Sequence, residues 1–471
     1  FHARAMQGQA LHDGQTLRRR VQQSRPRADI KEEEDEEPYD PTEDRRRLAQ
    51  LIAEEKSFRR RGTYCLLRLL VALSIPVLVI VLVWASDQFE PTSFSLPPPA
   101  PFEGALAVNP VLRRGVQLAS GQVRGPRALL VEDETIYVSS SDGRVLEIVG
   151  NSIRSAVRLS DTANCNGGLD ELHCGSPVGI RRLDEKRLLV VDAYRGLFEV
   201  DFGRQTATPL LVIGDLIVDG HVIIHLHDVA VISEDDVILS QVSTRSLPFY
   251  KMHVRVEHRA NGRLLRCTLS RGSCDVLVDG LVEPRGLQLM PDGDEVLIAE
   301  AGLARIISVS LSRRRPPSVW AQALPGLPWS VRLGPSGSSS SPGGGSSSSS
   351  LRNSHVWVAF DESRRMSDGV AWAPLAERLS ESSFARKTLL WAFGIDYFRS
   401  YYHHFSARHA FAVRFNLTGS PECAVHAPGG VRRRGAVADA AQSARGHLYV
   451  VSTHAHAVTR VDADVVASVC P

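Results

Sequence analysis

The sequence lacks the short motifs that mark the commonest enzyme classes. It contains no G-x-S-x-G nucleophile elbow, no H-E-x-x-H zinc motif, no Walker phosphate loop, no G-x-G-x-x-G dinucleotide motif and no C-x-x-C pair. It also lacks a large net charge, because 55 Lys and Arg nearly balance 53 Asp and Glu to give +2. A general basic field is therefore missing, and we expect no nucleic-acid partner.

Hydrophobic residues make up 43% of the 471 positions and aromatic residues 6%, which allows a large core and excludes a wholly disordered chain. The length predicts two or three domains, or one large domain with appendages. Residues 1–63 are polar, with an acidic run at 32–37 between arginine clusters at 18–20 and 45–47. We predict a disordered cytoplasmic tail there, either a solvated leader or a docking platform for cytoplasmic partners.

An uncharged apolar run follows at residues 69–85. About 20 apolar residues span the hydrocarbon core of a bilayer, so residues 64–86 are predicted to form a transmembrane helix. A cleaved signal peptide is the competing interpretation, but the long charged leader favours an uncleaved signal anchor. Arginines at 59–61 precede the run and Asp87 follows it. This asymmetry predicts a single-pass type II membrane protein whose N-terminus is cytoplasmic.

Six of the seven cysteines follow the predicted span, an even number that suits disulfides in an oxidising compartment. They are Cys165, Cys174, Cys267, Cys274, Cys423 and Cys470. The first two bracket a Gly-rich loop and the next two a predicted hairpin, which leaves the last two for each other, although six cysteines permit 15 connectivities. Asn416 begins an N-glycosylation sequon. Together these features predict a glycosylated extracellular or lumenal domain.

A repeated unit follows a Pro-rich stem that we place at residues 87–120. Short β-branched runs alternate with Asp-Gly, Asn-Gly and other polar turns, and the unit recurs six times. Equivalent apolar positions in the six units are Ile136, Leu189, Val237, Val296, Val356 and Leu448. Four short strands per unit fit this spacing. The predicted fold is therefore all-β, a six-bladed β-propeller over residues 121–471 whose closed ring leaves only short sheet edges.

Two segments interrupt the repeat. Residues 334–350 are rich in Gly and Ser and are predicted to form a flexible loop. Residues 369–408 carry an amphipathic aromatic stripe and are predicted to form a helical insert. This stripe has three interpretations: it rests on the bilayer, it covers the propeller mouth as a surface for a protein partner, or it packs onto the blades.

Two histidine pairs, at 403–404 and at 454 and 456, are candidate zinc ligands. Neither pair has a third histidine or a carboxylate close in sequence, which a zinc site would need. We therefore predict surface or packed histidines and assign no metal ligand.

Several strings resemble one known family. The most distinctive is the run at 191–200, which reads V-D-A-Y-R-G-L-F-E-V, together with C-G-S-P-V-G-I-R at 174–181. Further matching strings lie at 262–265, 286–289, 296–300, 324–328 and 446–449. Over roughly residues 60–471 the chain resembles the strictosidine synthase-like propellers, in particular their membrane-anchored animal members. The resemblance implies a type II membrane glycoprotein, arylesterase-type hydrolase activity and a relationship to calcium-dependent lactonases.

The calcium-dependent relatives hold their ion in the central tunnel with oxygen ligands from several blades. The positions here that match this pattern are Arg127, His227, Asp228, Arg285, Trp329 and Ser330. Calcium takes six to eight oxygen ligands, and only Asp228 and, weakly, Ser330 supply side-chain oxygen. Arg127 and Arg285 bring two permanent cations instead. The comparison therefore implies that calcium is absent as a cofactor and that these six residues line a ligand pocket.

Two arginines beside Asp228 have two interpretations, a closed Arg–Asp–Arg cluster or a pocket for a carboxylate- or phosphate-bearing molecule. The resemblance also places Asp439 near the glutamate base of strictosidine synthase. It is one methylene shorter, and a lone aspartate before a strand is more often a turn residue, so we predict no condensation chemistry. Two functions remain. One is an ectodomain that recognises a ligand or partner, and the other is an arylesterase-like hydrolase.

Overall fold

The computed structural model describes residues 41–86, 89–160, 162, 165, 171–248, 251–312, 315–335, 354–365, 375–405, 409–429 and 436–471. Residues 1–40 of the predicted tail and 336–350 of the predicted Gly/Ser loop lie outside the described residues. The chain divides into two compact units, Phe1–Val83 and Trp84–Pro471.

The first unit contains most of one long helix, α1 (Pro41–Ser86). The segment Pro41–Leu82 contains a window of mean hydropathy 2.8 that is long and apolar enough to cross a membrane. The helix also includes residues 41–63, which the sequence assigned to the tail. Glu, Arg, Leu and Ala at these positions favour helix, Pro41 suits a first helical turn, and Glu55 pairs with Arg59 one turn later at 3.0 Å.

The second unit contains six four-stranded antiparallel sheets, here called blades 1 to 6. Strand β1 (Val116–Leu118) comes first in the chain and joins blade 6. Blade 1 consists of β2 (Leu129–Glu132), β3 (Thr135–Ser140), β4 (Arg144–Val149) and β5 (Ser152–Arg158). Blade 2 consists of β6 (Pro177–Arg182), β7 (Arg187–Asp192), β8 (Gly196–Asp201) and β9 (Thr206–Val212). A two-stranded hairpin follows, made of β10 (Ile217–Val218) and β11 (His221–Val222).

The remaining blades follow the same order. Blade 3 consists of β12 (Leu226–Val231), β13 (Asp236–Gln241), β14 (Gly262–Thr268) and β15 (Ser273–Leu281). Blade 4 consists of β16 (Pro284–Leu289), β17 (Glu295–Glu300), β18 (Arg305–Ser310) and β19 (Ser318–Ala321). Blade 5 consists of β20 (Gly326–Leu333), β21 (His355–Ser363), β22 (His409–Asn416) and β23 (Pro421–Pro428). Blade 6 consists of β24 (Asp439–Gln442), β25 (Leu448–Val451), β26 (Val458–Val461) and β1.

Further helices lie between the strands or after the last one. They are α2 (Glu171–Cys174), α3 (Lys251–Glu257), α4 (Leu375–Arg378), α5 (Ser383–Phe405) and α6 (Ala463–Ala467). Helices α4 and α5 fall within the segment predicted as a helical insert. Helix α5 is interrupted at Gly394, whose φ of 71° lies in the region that glycine enters without a steric penalty. His403 and His404 lie on α5, and the other histidine pair lies between β25 and β26.

The first strand of each blade is the innermost, and these strands contact one another in the cyclic order β2, β6, β12, β16, β20 and β24. Strand β1 closes the ring by pairing with β26, so that Val116 lies opposite Arg460. The last blade is therefore built from both ends of the propeller sequence, which removes the free edge that an open sheet would expose.

The predicted six-bladed propeller is confirmed. The six equivalent apolar positions read from the sequence all lie on the second strand of a blade, and each is at most 1% exposed. A second strand is flanked by two strands of its own sheet and covered by the adjacent blades, so its apolar side chains form the core between blades.

The predicted disulfides are present, and the structure gives the pairing that the sequence left open. Disulfides join Cys165 to Cys174, Cys267 to Cys274, and Cys423 to Cys470. The second links adjacent strands of blade 3, and the third joins β23 of blade 5 to Cys470, the third residue after α6. Cys65 on α1 is a free, exposed thiol.

Candidate functional site at the propeller axis

Four charged side chains from innermost strands form a closed ion-pair group, here called the axial ring. They are Arg181 on β6, Asp228 on β12, Arg332 on β20 and Asp439 on β24. The guanidinium group of Arg332 donates to Asp228 Oδ2 at 2.9 Å and to Asp439 Oδ2 at 2.7 Å. Arg181 donates to the same oxygen of Asp228 at 2.9 Å. Two positive and two negative charges are thus balanced without an ion.

Backbone groups from the other two innermost strands complete the axial ring. The amide of Leu129 on β2 donates to Asp439 at 3.1 Å. The amide of Leu287 on β16 donates to Asp228 at 3.0 Å, and its carbonyl accepts from Arg181. Every blade therefore contributes to one hydrogen-bonded network at the axis. Such a network favours one arrangement of the six blades more strongly than apolar contacts alone do, because each buried polar group needs its own partner.

The axial ring is buried, and burial affects its two arginines differently. Burial, with the neighbouring charge of Arg332 second, lowers the pKa of Arg181 to about 10. Burial also acts against Arg332, but the attraction of Asp228 and Asp439 outweighs it and raises the pKa of Arg332. Both guanidinium groups therefore carry their charge at neutral pH.

One of the two interpretations of the sequence is a closed Arg–Asp–Arg cluster with Arg127 and Arg285 as its arginines. The structure does give Asp228 two guanidinium partners, but they are Arg181 and Arg332. Arg181 and Arg332 were missed because a family pattern drew attention to other positions. The available signal was an arginine inside a mostly apolar innermost strand, since a buried charge needs a partner.

Arg127 instead joins blade 1 to blade 2. It lies just before β2, and its guanidinium donates to both carboxylate oxygens of Glu171 on α2, at 3.1 and 2.5 Å. It also donates to the hydroxyl of Ser176, the residue before β6. This bidentate pair is only partly exposed, with 18% of the arginine and 16% of the glutamate side chain accessible.

Arg285 lies at the start of β16 beside an acidic group. It donates to Glu283 at 2.5 Å, and Glu283 also accepts from Arg255 of α3 at 2.9 Å. Burial raises the pKa of Glu283, but the two arginines outweigh it and lower that pKa to about 2. Burial lowers the pKa of Arg285 although Glu283 acts in the opposite direction.

A second polar group has atoms without hydrogen-bond partners among the described residues. We call it the unpaired cluster, and it consists of His227, Arg285, Trp329 and Ser330. The guanidinium of Arg285 lies 4.2 Å from the centroid of the Trp329 ring, and the His227 ring meets Trp329 edge-on at 4.9 Å. Both nitrogens of His227, Nε of Arg285, Nε1 of Trp329 and Oγ of Ser330 are buried and unpaired.

The unpaired cluster is enclosed and its imidazole is neutral. Each of its members is at most 5% exposed. Burial, with the charge of Arg285 second, lowers the pKa of His227 well below its ordinary value, so the ring is neutral at pH 7. Four of the six residues predicted to line a pocket thus belong to one buried group, and Asp228 belongs to the axial ring.

These residues do not match the ligand set that calcium requires. The ion takes six to eight oxygens, whereas the axial ring offers two carboxylates that already accept from arginine. Within the part of the chain that the structure describes, no three His, Cys, Asp or Glu side chains are grouped to hold a metal ion. Asp439, the weak candidate for a catalytic base, accepts from Arg332 and from two backbone amides.

Known proteins are similar to this chain over the propeller and beyond it. The strictosidine synthase family model matches residues 227–312. The adipocyte plasma membrane-associated protein of Rattus norvegicus is 30% identical over 274 residues, 58% of this chain and 72% of the relative. The protein of that name from Danio rerio is 28% identical over 423 residues, 87% of this chain and 94% of the relative.

A solved gluconolactonase from Xanthomonas campestris is 14% identical, with a TM-score of 0.45, and the match covers 80% of this chain and 98% of that one. The family assignment itself comes from the sequence matches, since the rat protein is matched over more than two thirds of its length. The chain belongs to the adipocyte plasma membrane-associated protein family of strictosidine synthase-like propellers.

Proposed function

We propose that the propeller is a ligand-recognition domain in which Arg332 supplies the positive charge that calcium supplies in the lactonases implied by the family resemblance. One observation carries this proposal: a single guanidinium group lies between the carboxylates of Asp228 and Asp439, at 2.9 and 2.7 Å. A permanently charged side chain needs no ion to balance those carboxylates, and it cannot act as a Lewis acid on a substrate.

The unpaired cluster suggests the chemistry of the ligand. The indole Nε1 of Trp329 and the Nε of Arg285 can only donate hydrogen bonds, and the hydroxyl of Ser330 can donate as well. Buried donors without partners are costly, so a bound molecule that supplies acceptors would be favoured. We therefore propose a small anionic ligand with a carboxylate or phosphate group, held beside the guanidinium of Arg285.

Calcium titration of the full chain in detergent tests whether Arg332 takes the place of a calcium ion. We expect millimolar calcium to leave the melting temperature of the native chain unchanged. In Arg332→Ser the two carboxylates lose their shared partner, and calcium should then raise the melting temperature. The control is Arg445→Ser, which removes an exposed pair with Glu134. Tight calcium binding to the native chain, with a higher melting temperature, would contradict the proposal.

Benzoate is a suitable probe for the ligand, because it carries one carboxylate on a flat apolar ring. Saturation-transfer NMR with the full chain should show contact with benzoate. The contact should weaken in Arg285→Gln and persist in Arg445→Gln. Equal contact in both variants would place the anion elsewhere on the protein and contradict a site at the unpaired cluster.

An arylesterase-like hydrolase is the second candidate, and the state of His227 favours it. Both nitrogens of its neutral imidazole are free of hydrogen bonds within the described residues, so the ring can accept a hydrogen bond from a water molecule or a substrate. Phenyl acetate hydrolysis measured without metal would support this function if His227→Gln abolished it. Hydrolysis that required calcium would instead contradict the proposal that Arg332 takes the place of the calcium ion.

We also propose that α1 is an uncleaved signal anchor in a type II protein with the propeller on the extracytoplasmic side. Three disulfides among the propeller cysteines fit an oxidising compartment. Asn416 fits glycosylation, because its Oδ1 accepts from the Thr418 hydroxyl at 2.8 Å in a partly exposed turn. Peptide N-glycosidase should shift the native chain and Thr418→Ser on a gel. It should leave Thr418→Ala and Asn416→Gln unchanged.

A further inference from the structure

Helix α5 exposes two large aromatic side chains that lie seven residues apart on one side of the helix, Phe384 and Trp391, which we call the insert face. Phe384 is 67% exposed and Trp391 39%. Scattered single apolar side chains are normal on a protein surface, but two exposed aromatics on the same side of one helix indicate a contact surface. The position of the helix in the protein indicates which kind of partner covers that surface.

The helix is fixed to the propeller unit through its other side. Arg386 is fully buried and donates to the carbonyl of Val256 on α3 at 2.6 Å and to that of Leu379 at 3.1 Å. Leu390 is 6% exposed and lies in a small core with Phe89 and residues of α3. Because these contacts hold the inner side of α5, its aromatic side chains cannot turn inward without breaking them.

The insert face begins beside Trp84, the first residue of the second unit. The Phe384 ring lies 5.4 Å from the ring of Trp84, and the Lys387 ammonium lies 4.7 Å from the same indole. Trp84 follows Leu82, the last residue of the candidate membrane span, by two positions. Tryptophan is enriched where a transmembrane helix leaves the hydrocarbon, and lysine can extend its ammonium to the headgroups there.

We propose that the insert face lies in the interfacial layer of the same membrane leaflet from which α1 emerges. Phe384 and Trp391 would bury their rings at the boundary of headgroups and acyl chains, as amphipathic interfacial helices do. The propeller is then held to the bilayer at two places, by α1 and by α5, which fixes its orientation. This proposal depends on α1 crossing a membrane and is independent of the ligand that the propeller recognises.

Spin labelling of the full chain in vesicles tests it. The chain carries Cys65→Ser to remove the free thiol and is reconstituted into phosphatidylcholine with phosphatidylserine. One sample is labelled at Phe384→Cys. A matched control is labelled at Val319→Cys, which is 48% exposed on the outer strand of blade 4. Power saturation compares collisions with oxygen, which partitions into the bilayer, and with a water-soluble nickel chelate.

The expected result is a ratio of oxygen to nickel collisions several-fold higher at position 384 than at 319. Equal ratios would place the helix in water and overturn the proposal. Few collisions with either reagent at 384 would indicate a protein contact, such as a second copy of the chain, and would overturn it too. A melting curve and a count of three disulfides establish folding. If Phe384→Cys does not fold, a label at Trp391→Cys provides the same comparison.

Discussion

The guanidinium group of Arg332 on blade 5 lies 2.7 Å from the carboxylate of Asp439 on blade 6. The same group reaches Asp228 on blade 3, so one side chain joins blades that are not neighbours in the ring. Asp439 was the position that family resemblance offered as a catalytic base. Both oxygens of its carboxylate already accept hydrogen bonds, from the permanent cation of Arg332 and from the backbone amides of Leu129 and Ala440.

Removing the shared cation should destabilise the propeller strongly. Arg332→Met leaves the buried carboxylate of Asp439 without its charged partner, and we expect a loss of about 3 to 5 kcal/mol in the free energy of unfolding. Arg445→Met removes an exposed ion pair and should change it by less than about 1 kcal/mol. Urea denaturation of both variants measures the difference. Adding Asp439→Asn to Arg332→Met should recover part of the loss, and no recovery would argue against this pairing.

Acid should destabilise the protein through a buried histidine pair on blade 5. His409 Nε2 lies 2.8 Å from His426 Nδ1, and burial lowers the two pKa values to about 4 and about 3. An unfolded histidine titrates near pH 6.5, so the unfolded state binds more protons between that pH and about 4. Stability is therefore complete above pH 6.5 and falls as the pH is lowered through this window.

The slope should approach about 1.4 kcal/mol per pH unit for each histidine. Thermal melts of the native chain and of His409→Leu with His426→Leu, taken from pH 7.5 to 4, measure it. The variant should lose less stability on acidification. If the double variant lost as much stability per pH unit as the native chain, other titratable groups would account for the acid sensitivity.

The three disulfides should contribute unequally because they close loops of different length. Cys423–Cys470 spans 47 residues and Cys267–Cys274 spans 7. Loop-closure entropy predicts about 4 kcal/mol for the first and about 2.5 kcal/mol for the second. Serine pairs at each position, compared by urea denaturation with Cys65→Ser as control, test this order. A larger loss at the short loop would mean that native-state packing, and not chain entropy, dominates.

The buried guanidinium of Arg386 should hold the stem and α3 to the insert. It donates to backbone carbonyls of Thr92, Val256, Leu379 and Ser380. Arg386→Met leaves these acceptors unpaired, with an expected loss of about 3 kcal/mol. Hydrogen exchange should rise in residues 89–96 and in α3, whereas Arg204→Met on the exposed rim of blade 2 should leave it unchanged. Unchanged exchange in Arg386→Met would show that apolar packing suffices.

Much of the fold was predictable because its signals are local. Alternating apolar runs and Gly or Asp turns identified strands, and six equivalent positions located the second strand of every blade. The candidate membrane span followed from an uncharged run, and two of the disulfides from cysteines that lie close in sequence. Each of these features depends on residues near one another in the chain.

The candidate site was only partly predictable. Family resemblance directed attention to Arg285, Trp329 and His227, which do lie together, and to Asp228. It gave no indication of Arg181 or Arg332. A sequence shows which residues occupy a strand, but it does not show which side chain will face which across the axis of a closed ring.

The sequence by itself determined the kind of structure: an apolar span, short strands with their turns, and the cysteines of an oxidised domain. Only the tertiary structure decided which charges meet. Arg332 is 104 residues from Asp228 and 107 from Asp439, and ring closure alone brings all three to the axis. A buried charged side chain needs an oppositely charged partner at hydrogen-bond distance. The arrangement of the six blades decides which side chains come that close.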